Sequence, residues 1–183
     1  MKKLRTLDGV GASALEFLIL TATRSGEVRG AQWSEFDLAA GLWTIPAERM
    51  KMKKPHRVPL SSRAVELVKA QPKRSDSEYV FAALRGGMLS DMTLNAVVRR
   101  LEAPAVPHGF RSTFRDWAAE HTNYPRDVAE MALAHAIGDK VEAAYRRGDL
   151  FQKRARMMAD WAAFCEIVQP PGTVIPINRA SEA

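Results

Sequence analysis

The sequence predicts a mainly helical domain carrying one small antiparallel sheet, an α+β fold. Three observations predict it. Apolar residues recur at helical spacing over most of the 183 residues. One stretch, from Phe36 to Leu60, changes to β-favouring clusters punctuated by Gly41 and Pro55. No internal repeat or low-complexity block interrupts either pattern, and with 46% apolar residues the chain can bury a single core of ordinary domain size.

From Ser13, the residues Leu15, Leu18, Ile19 and Ala22 fall at helical spacing, and Ser25 can cap a further turn through Val28. Arg24 then lies at a junction between two helical pieces. Leu42 to Ile45 and Arg57 to Leu60 read as strands of the sheet, joined through a basic turn. Ser61 or Ser62 opens a helix with Ala64, Leu67 and Val68 on one face; a polar stretch follows from Gln71 to Glu78, and Gly86-Gly87 marks a loop. Tyr79, in Tyr79-Val80-Phe81, reads as a buried strand or turn. Helical patterns then cover Ser90–Leu101, Gly109–His121, Pro125–Ala134, Asp139–Arg147 and Leu150–Val168. Residues 169–183, with Pro170-Pro171 and Pro176, read as an extended tail.

The formal charge of +6 and the pI near 9.7 suit a polyanionic partner such as nucleic acid, but a basic solvated surface has the same composition. Charge alone does not decide between them. The single cysteine, Cys165, excludes an internal disulfide and a cysteine zinc site within one chain. His56, His108, His121 and His135 form no HExxH motif, so no metal is expected. Glu16 and Arg24 bracket the apolar run Phe17 to Ala22 far short of the roughly 20 residues of a membrane span, and the first residues lack a signal-peptide pattern. A soluble, cytoplasmic protein is the expectation.

The densest chemical signal is Pro107-His108-Gly109-Phe110-Arg111-Ser112-Thr113-Phe114-Arg115-Asp116-Trp117. His108 and Arg111 share one face of a helix start, where free backbone N–H groups and the helix dipole attract phosphate and a guanidinium can grip two oxygens. A capped amphipathic helix anchored by Phe110, Phe114 and Trp117 would account for this segment alone. Three further patches accompany it: Thr23-Arg24-Ser25-Gly26-Glu27; Lys51-Met52-Lys53-Lys54-Pro55-His56-Arg57-Val58-Pro59-Leu60; and Leu133-Ala134-His135, followed ten residues later by Tyr145. In order and rough spacing, from about Leu15 to Val168, the four together resemble the tyrosine recombinases, particularly integrases of prophages and mobile islands.

The resemblance implies a site. Arg24 and Arg111 are its two arginines, Lys51 its hairpin lysine, His108 and His135 its histidines, Tyr145 its nucleophile and Glu27 the acidic prop of Arg24. Lys53 and Lys54 are adjacent alternatives to Lys51, which stands eight residues before Pro59 as in similar hairpins. Lys53, Lys54, His56, Arg99, Arg100 and Arg115 are candidates for contact with DNA. These residue types suit phosphoryl transfer: fixed guanidiniums stabilise charge on the non-bridging oxygens, and a tyrosine ester conserves the bond energy without a cofactor.

The function implied is site-specific recombination, the integration or excision of a mobile element through a 3′-phosphotyrosine. Double-stranded DNA at an attachment site, other protomers in a synaptic tetramer and accessory DNA-bending proteins are the partners implied, on the bacterial nucleoid. Two alternatives stand: a non-catalytic DNA-binding remnant, and a nicking-closing enzyme like the type IB topoisomerases. Residues 1–168 are expected to form the catalytic domain. The N-terminal DNA-binding domain that such enzymes pair with it is expected to be absent, since about a dozen residues precede the first helix.

Overall fold

The computed structural model describes residues 1–135 and 148–167. The expected helix at Asp139–Arg147, with Tyr145, and the expected tail at 169–183 lie outside them. A 3-10 turn at Leu4–Thr6 leads into helix α1 (Val10–Thr21), followed by α2 (Ser25–Arg29), strands β1 (Phe36–Asp37), β2 (Leu42–Ile45) and β3 (His56–Pro59), then α3 (Ser62–Lys69), α4 (Asp91–Arg100), α5 (Gly109–Glu120), α6 (Arg126–Ala132) and α7 (Phe151–Glu166). The α+β expectation holds. Tyr79 forms an isolated antiparallel bridge with Gln32, in keeping with its strand-like surroundings.

The strands pair antiparallel in the order β1-β2-β3, with Phe36 opposite Trp43 and Ile45 opposite His56. The β1–β2 connection suits its residues. Asp37 Oδ1 accepts from the backbone N–H groups of Ala39 and Ala40, and Gly41 takes a φ of +61°, which a residue without Cβ adopts at little cost.

Helix α1 starts at Val10, three residues before the expected Ser13, and is buried on nearly every side. Leu15, Phe17 and Leu18 are fully buried, which is why an apolar run and not a single stripe marks it in the sequence. On one side the ring of Phe17 meets Phe36, Trp43 and Phe81 at centroid distances of 6.1, 5.4 and 5.4 Å. On the other, α7 docks within its own molecule. Trp161 Nε1 donates to the Ile19 carbonyl at 2.7 Å, and Phe114, Trp117 and Phe164 surround its indole.

Glu16, the charged residue that precedes the apolar run Phe17 to Ala22, is 4% exposed on the same helix. It accepts from Arg5 Nε at 2.7 Å and from Arg63 Nε at 2.9 Å. Burial works to raise its carboxyl, but those bonds bring it below its ordinary value. The start of the chain and α3 are thereby tied to the central helix. Among the described residues, no helix is long and apolar enough to cross a membrane.

Candidate active site

The site forms where α1 ends. Ala22, in the left-handed region at φ 51°, terminates α1 and turns the chain so that Arg24 stands extended between α1 and α2. Arg24, not Ser25, is the residue flanking α2. Glu27 in the first turn of α2 accepts from the Arg24 backbone N–H at 2.7 Å and from Arg24 Nη1 at 2.8 Å. The carboxylate is 5% exposed and the arginine side chain 26%, so a buried acid holds a cation whose outer edge faces solvent. Arg49 supports the arrangement from beneath, donating to the Glu27 carbonyl while pairing with Glu35.

Arg111 lies in the first turn of α5, 5% exposed, and donates to the carbonyls of Ala22 and Leu133. Its Nη2 is 3.1 Å from His135 Nε2. Burial, and next the nearby cation of Arg24, push this guanidinium down to about 10, with Glu27 opposing. It remains charged at neutral pH. Two cations from segments 87 residues apart in sequence therefore lie near one another, with His135 beside Arg111, and their repulsion is energy that a bound anion recovers.

His135 follows Ala134, whose φ of 49° turns the chain back after α6. Its Nδ1 is 2.8 Å from Glu130 Oε2. His108 is exposed at the residue preceding α5, and Lys51, Lys53 and Lys54 are exposed on the turn before β3, Lys53 with a φ of 51°. Arg99 and Arg100 are exposed in the last turn of α4. Thus Arg24, Glu27, Arg111 and His135 are brought together, while Tyr145 lies outside the described residues.

Two of the residues grouped as DNA contacts point elsewhere. Arg115 turns toward α6 and donates through Nε to Glu130 Oε1 at 2.7 Å. His56, expected on the outside of the hairpin, is half-buried. Burial, followed by the cation of Arg154, pushes its imidazole down to about 4; Glu27 and the Ala132 backbone oppose this, and Arg111 adds to it. His56 is therefore neutral and close to the arginine cluster.

Glu130 and Arg154 also support the site, although nothing in the sequence marks them. Arg154 is 1% exposed and donates to the Arg57 carbonyl, to the Asp149 carbonyl at 2.7 Å and to Asp149 Oδ2 at 2.7 Å. No spacing pattern marks their burial, because Arg57 for Arg154 and Arg115 for Glu130 come from other elements. Among the described residues, no cluster of three or more His, Cys, Asp and Glu is arranged to hold a metal ion.

The family model described as "Phage integrase family" matches residues 1–149. Prophage integrase IntA of Escherichia coli (strain K12) is 38% identical over 149 residues, covering 79% of this chain and 36% of that protein. Among solved structures, the integrase from mycobacterium phage Brujita superposes with a TM-score of 0.70 at 18% identity, over 92% of this chain and 57% of that one. A lambda integrase (75-356) dimer bound to a COC′ core site superposes with a TM-score of 0.55 at 20% identity, over 81% of this chain and 56% of that one. The chain spans under half the length of the curated relatives it matches.

Proposed function

The chain belongs to the phage integrase family, and from that premise we propose that residues 1–168 form the DNA breaking and rejoining domain of a tyrosine recombinase acting at the attachment site of a mobile element. The observation that carries this reading is the convergence of Arg24, Arg111 and His135, with the cation of Arg24 close enough to push the Arg111 guanidinium down and His135 Nε2 beside Arg111. Such a cluster fits a phosphodiester, whose non-bridging oxygens gain charge as the phosphorus becomes five-coordinate.

In this reading the Tyr145 oxygen bonds to phosphorus as the bond from phosphorus to the 5′ oxygen breaks. The products are a 3′-phosphotyrosine and a free 5′ hydroxyl. His108 eases removal of the phenolic proton, and Lys51, or its neighbours Lys53 and Lys54 on the same turn, protonates the leaving oxygen. Rejoining reverses these steps with a 5′ hydroxyl of the partner strand, so no external energy source is consumed. Double-stranded DNA and further protomers are the partners. The lambda integrase structure, a dimer on a core site, supports that part of the reading by its likeness in fold. Assembly of a four-protomer synapse, with bending proteins, completes it.

The test is covalent capture. The chain and its Tyr145→Phe variant are incubated with nicked duplexes spanning the element's attachment core, then run on a denaturing gel. An adduct formed by the first and absent from the second is expected; retarded DNA with no adduct from either would instead favour a binding module without catalysis.

A further inference from the structure

We infer that Glu130 is a positioning residue for His135, accepting the proton on Nδ1 and so presenting Nε2 to the arginine pocket. This rests on the site proposed above and on a chain of contacts with one consistent proton assignment. His135 Nε2 lies 3.1 Å from Arg111 Nη2, and a guanidinium nitrogen only donates. Nε2 is therefore the accepting nitrogen in the free protein. A neutral imidazole has one N–H, which falls on Nδ1, and Nδ1 lies 2.8 Å from Glu130 Oε2. The carboxylate accepts it.

Glu130 is itself held in place. Its Oε1 accepts from Arg115 Nε at 2.7 Å, and Arg126 Nε stands 3.7 Å away. Burial works to raise the carboxyl, and the hydrogen bonds from His135 and Arg115 bring it below its ordinary value, so it is ionised at neutral pH. Arg111 and Arg115 stand one helical turn apart on α5. One helix thus supplies both the cation facing Nε2 and the cation bracing the carboxylate behind Nδ1.

The consequence for the reaction concerns which nitrogen meets a phosphate. His135 has 43% of its side chain exposed, and the carboxylate fixes the orientation of its ring through Nδ1. With Nδ1 tied to Glu130, Nε2 is the nitrogen turned toward Arg111, the side on which a phosphate gripped by that guanidinium would lie.

The test compares Glu130→Met, of similar length with no acceptor, and Glu130→Gln, which keeps an acceptor oxygen. Side-chain 1H–15N spectra of the free chain, with His135 assigned by its loss in His135→Asn, should show the Nδ1-protonated tautomer in the unaltered protein and in Glu130→Gln. Glu130→Met should shift toward the Nε2-protonated tautomer. In the same proteins the Tyr145 adduct on saturating nicked duplex should form on the order of tenfold more slowly in Glu130→Met, the size typical of outer hydrogen-bond partners of functional histidines. Glu130→Gln should recover most of that loss, with DNA affinity unchanged in both. An Nε2-protonated ring in the unaltered chain, or a Glu130→Met spectrum identical to it, overturns the inference. The expected spectra with no adduct from the unaltered chain would count against the recombinase reading and leave this contact standing.

Discussion

The guanidinium of Arg154 donates to the backbone carbonyl of Arg57, joining α7 to the strand that follows the basic turn. The same group takes both the carbonyl and the carboxylate of Asp149, at 2.7 Å each, four residues after Tyr145 in the sequence. Arg57 in turn stacks its guanidinium 4.3 Å from the Phe151 ring centre and pairs with Asp149 at 3.3 Å. One buried cation thus anchors the chain just after the proposed nucleophile to the hairpin bearing the proposed general acid.

Replacing Arg154 by Met should therefore destabilise the fold. It leaves the Arg57 carbonyl without its donor and Asp149, 39% exposed, without its main cation. A loss of about 2–3 kcal/mol is expected, below the usual cost of breaking a fully buried pair because Asp149 can turn to water. In a chain of this length that lowers Tm by about 4–10 °C. Arg154→Lys should recover little, since an ammonium cannot span three acceptors on two elements. Thermal unfolding followed by circular dichroism reads both.

The two arginines of the pocket should respond differently to lysine. Arg24 is partly exposed and, among the described residues, its side chain bonds only to Glu27, so Arg24→Lys should fold normally while adduct formation falls by about 100-fold or more, the cost of one misplaced oxyanion donor. Arg111 also serves the carbonyls of Ala22 and Leu133. Arg111→Lys should show a similar kinetic loss plus about 2 kcal/mol of stability. Urea denaturation beside the adduct assay separates the two effects, and equal stability of the two variants would contradict the assignment of Arg111 as a structural donor.

Much of this was legible in the sequence because punctuation and period agreed. Gly41 and Pro55 delimited β2 and β3, and Ser61 caps α3, its Oγ accepting from the Ala64 N–H at 3.3 Å. The position of Arg24 between helices followed from the break after Ala22. His56 was misread because its neighbours Lys53, Lys54 and Arg57 are exposed and basic. The alternation along β3 carried the correction: Val58 is buried, Arg57 is exposed, and His56, opposite the buried Ile45, returns to the inner face. Arg154 and Glu130 gave no such signal. A charged residue on an amphipathic helix reads as solvated, and only partners distant in sequence, Arg57 for the one and Arg115 for the other, reveal the burial.

The inward turn of His56 has a pH signature. Its folded value of about 4 lies below the ordinary 6.5, so between those limits the unfolded chain binds a proton that the folded chain refuses. Stability should then fall as pH drops through that window, by on the order of 3 kcal/mol at most once both states are protonated. His56→Gln, which does not titrate, should flatten this part of the profile. Glu16 and Glu130, whose carboxyls also sit below their ordinary values, lose stability in acid in both proteins, so the difference between the two urea profiles isolates His56. Parallel profiles would place the imidazole in solvent.

Cys165 reports on the docking of α7. Burial pushes its thiol up to about 12, with smaller contributions from neighbouring charges. At pH 8 the thiolate that attacks disulfide reagents is therefore scarce in the folded chain, and reaction with an aromatic disulfide should be about 100-fold slower than for the same chain in urea. Because Trp161 and Phe164, on the same helix, pack against α1 and α5, the thiol gains access when α7 lifts from the core. Arg154→Met removes the clasp at the start of that helix and should speed labelling by more than its effect on global stability predicts. Labelling that tracks the unfolding equilibrium alone would mean that α7 opens only with the whole domain, and that the clasp and the aromatic cluster behave as one cooperative unit.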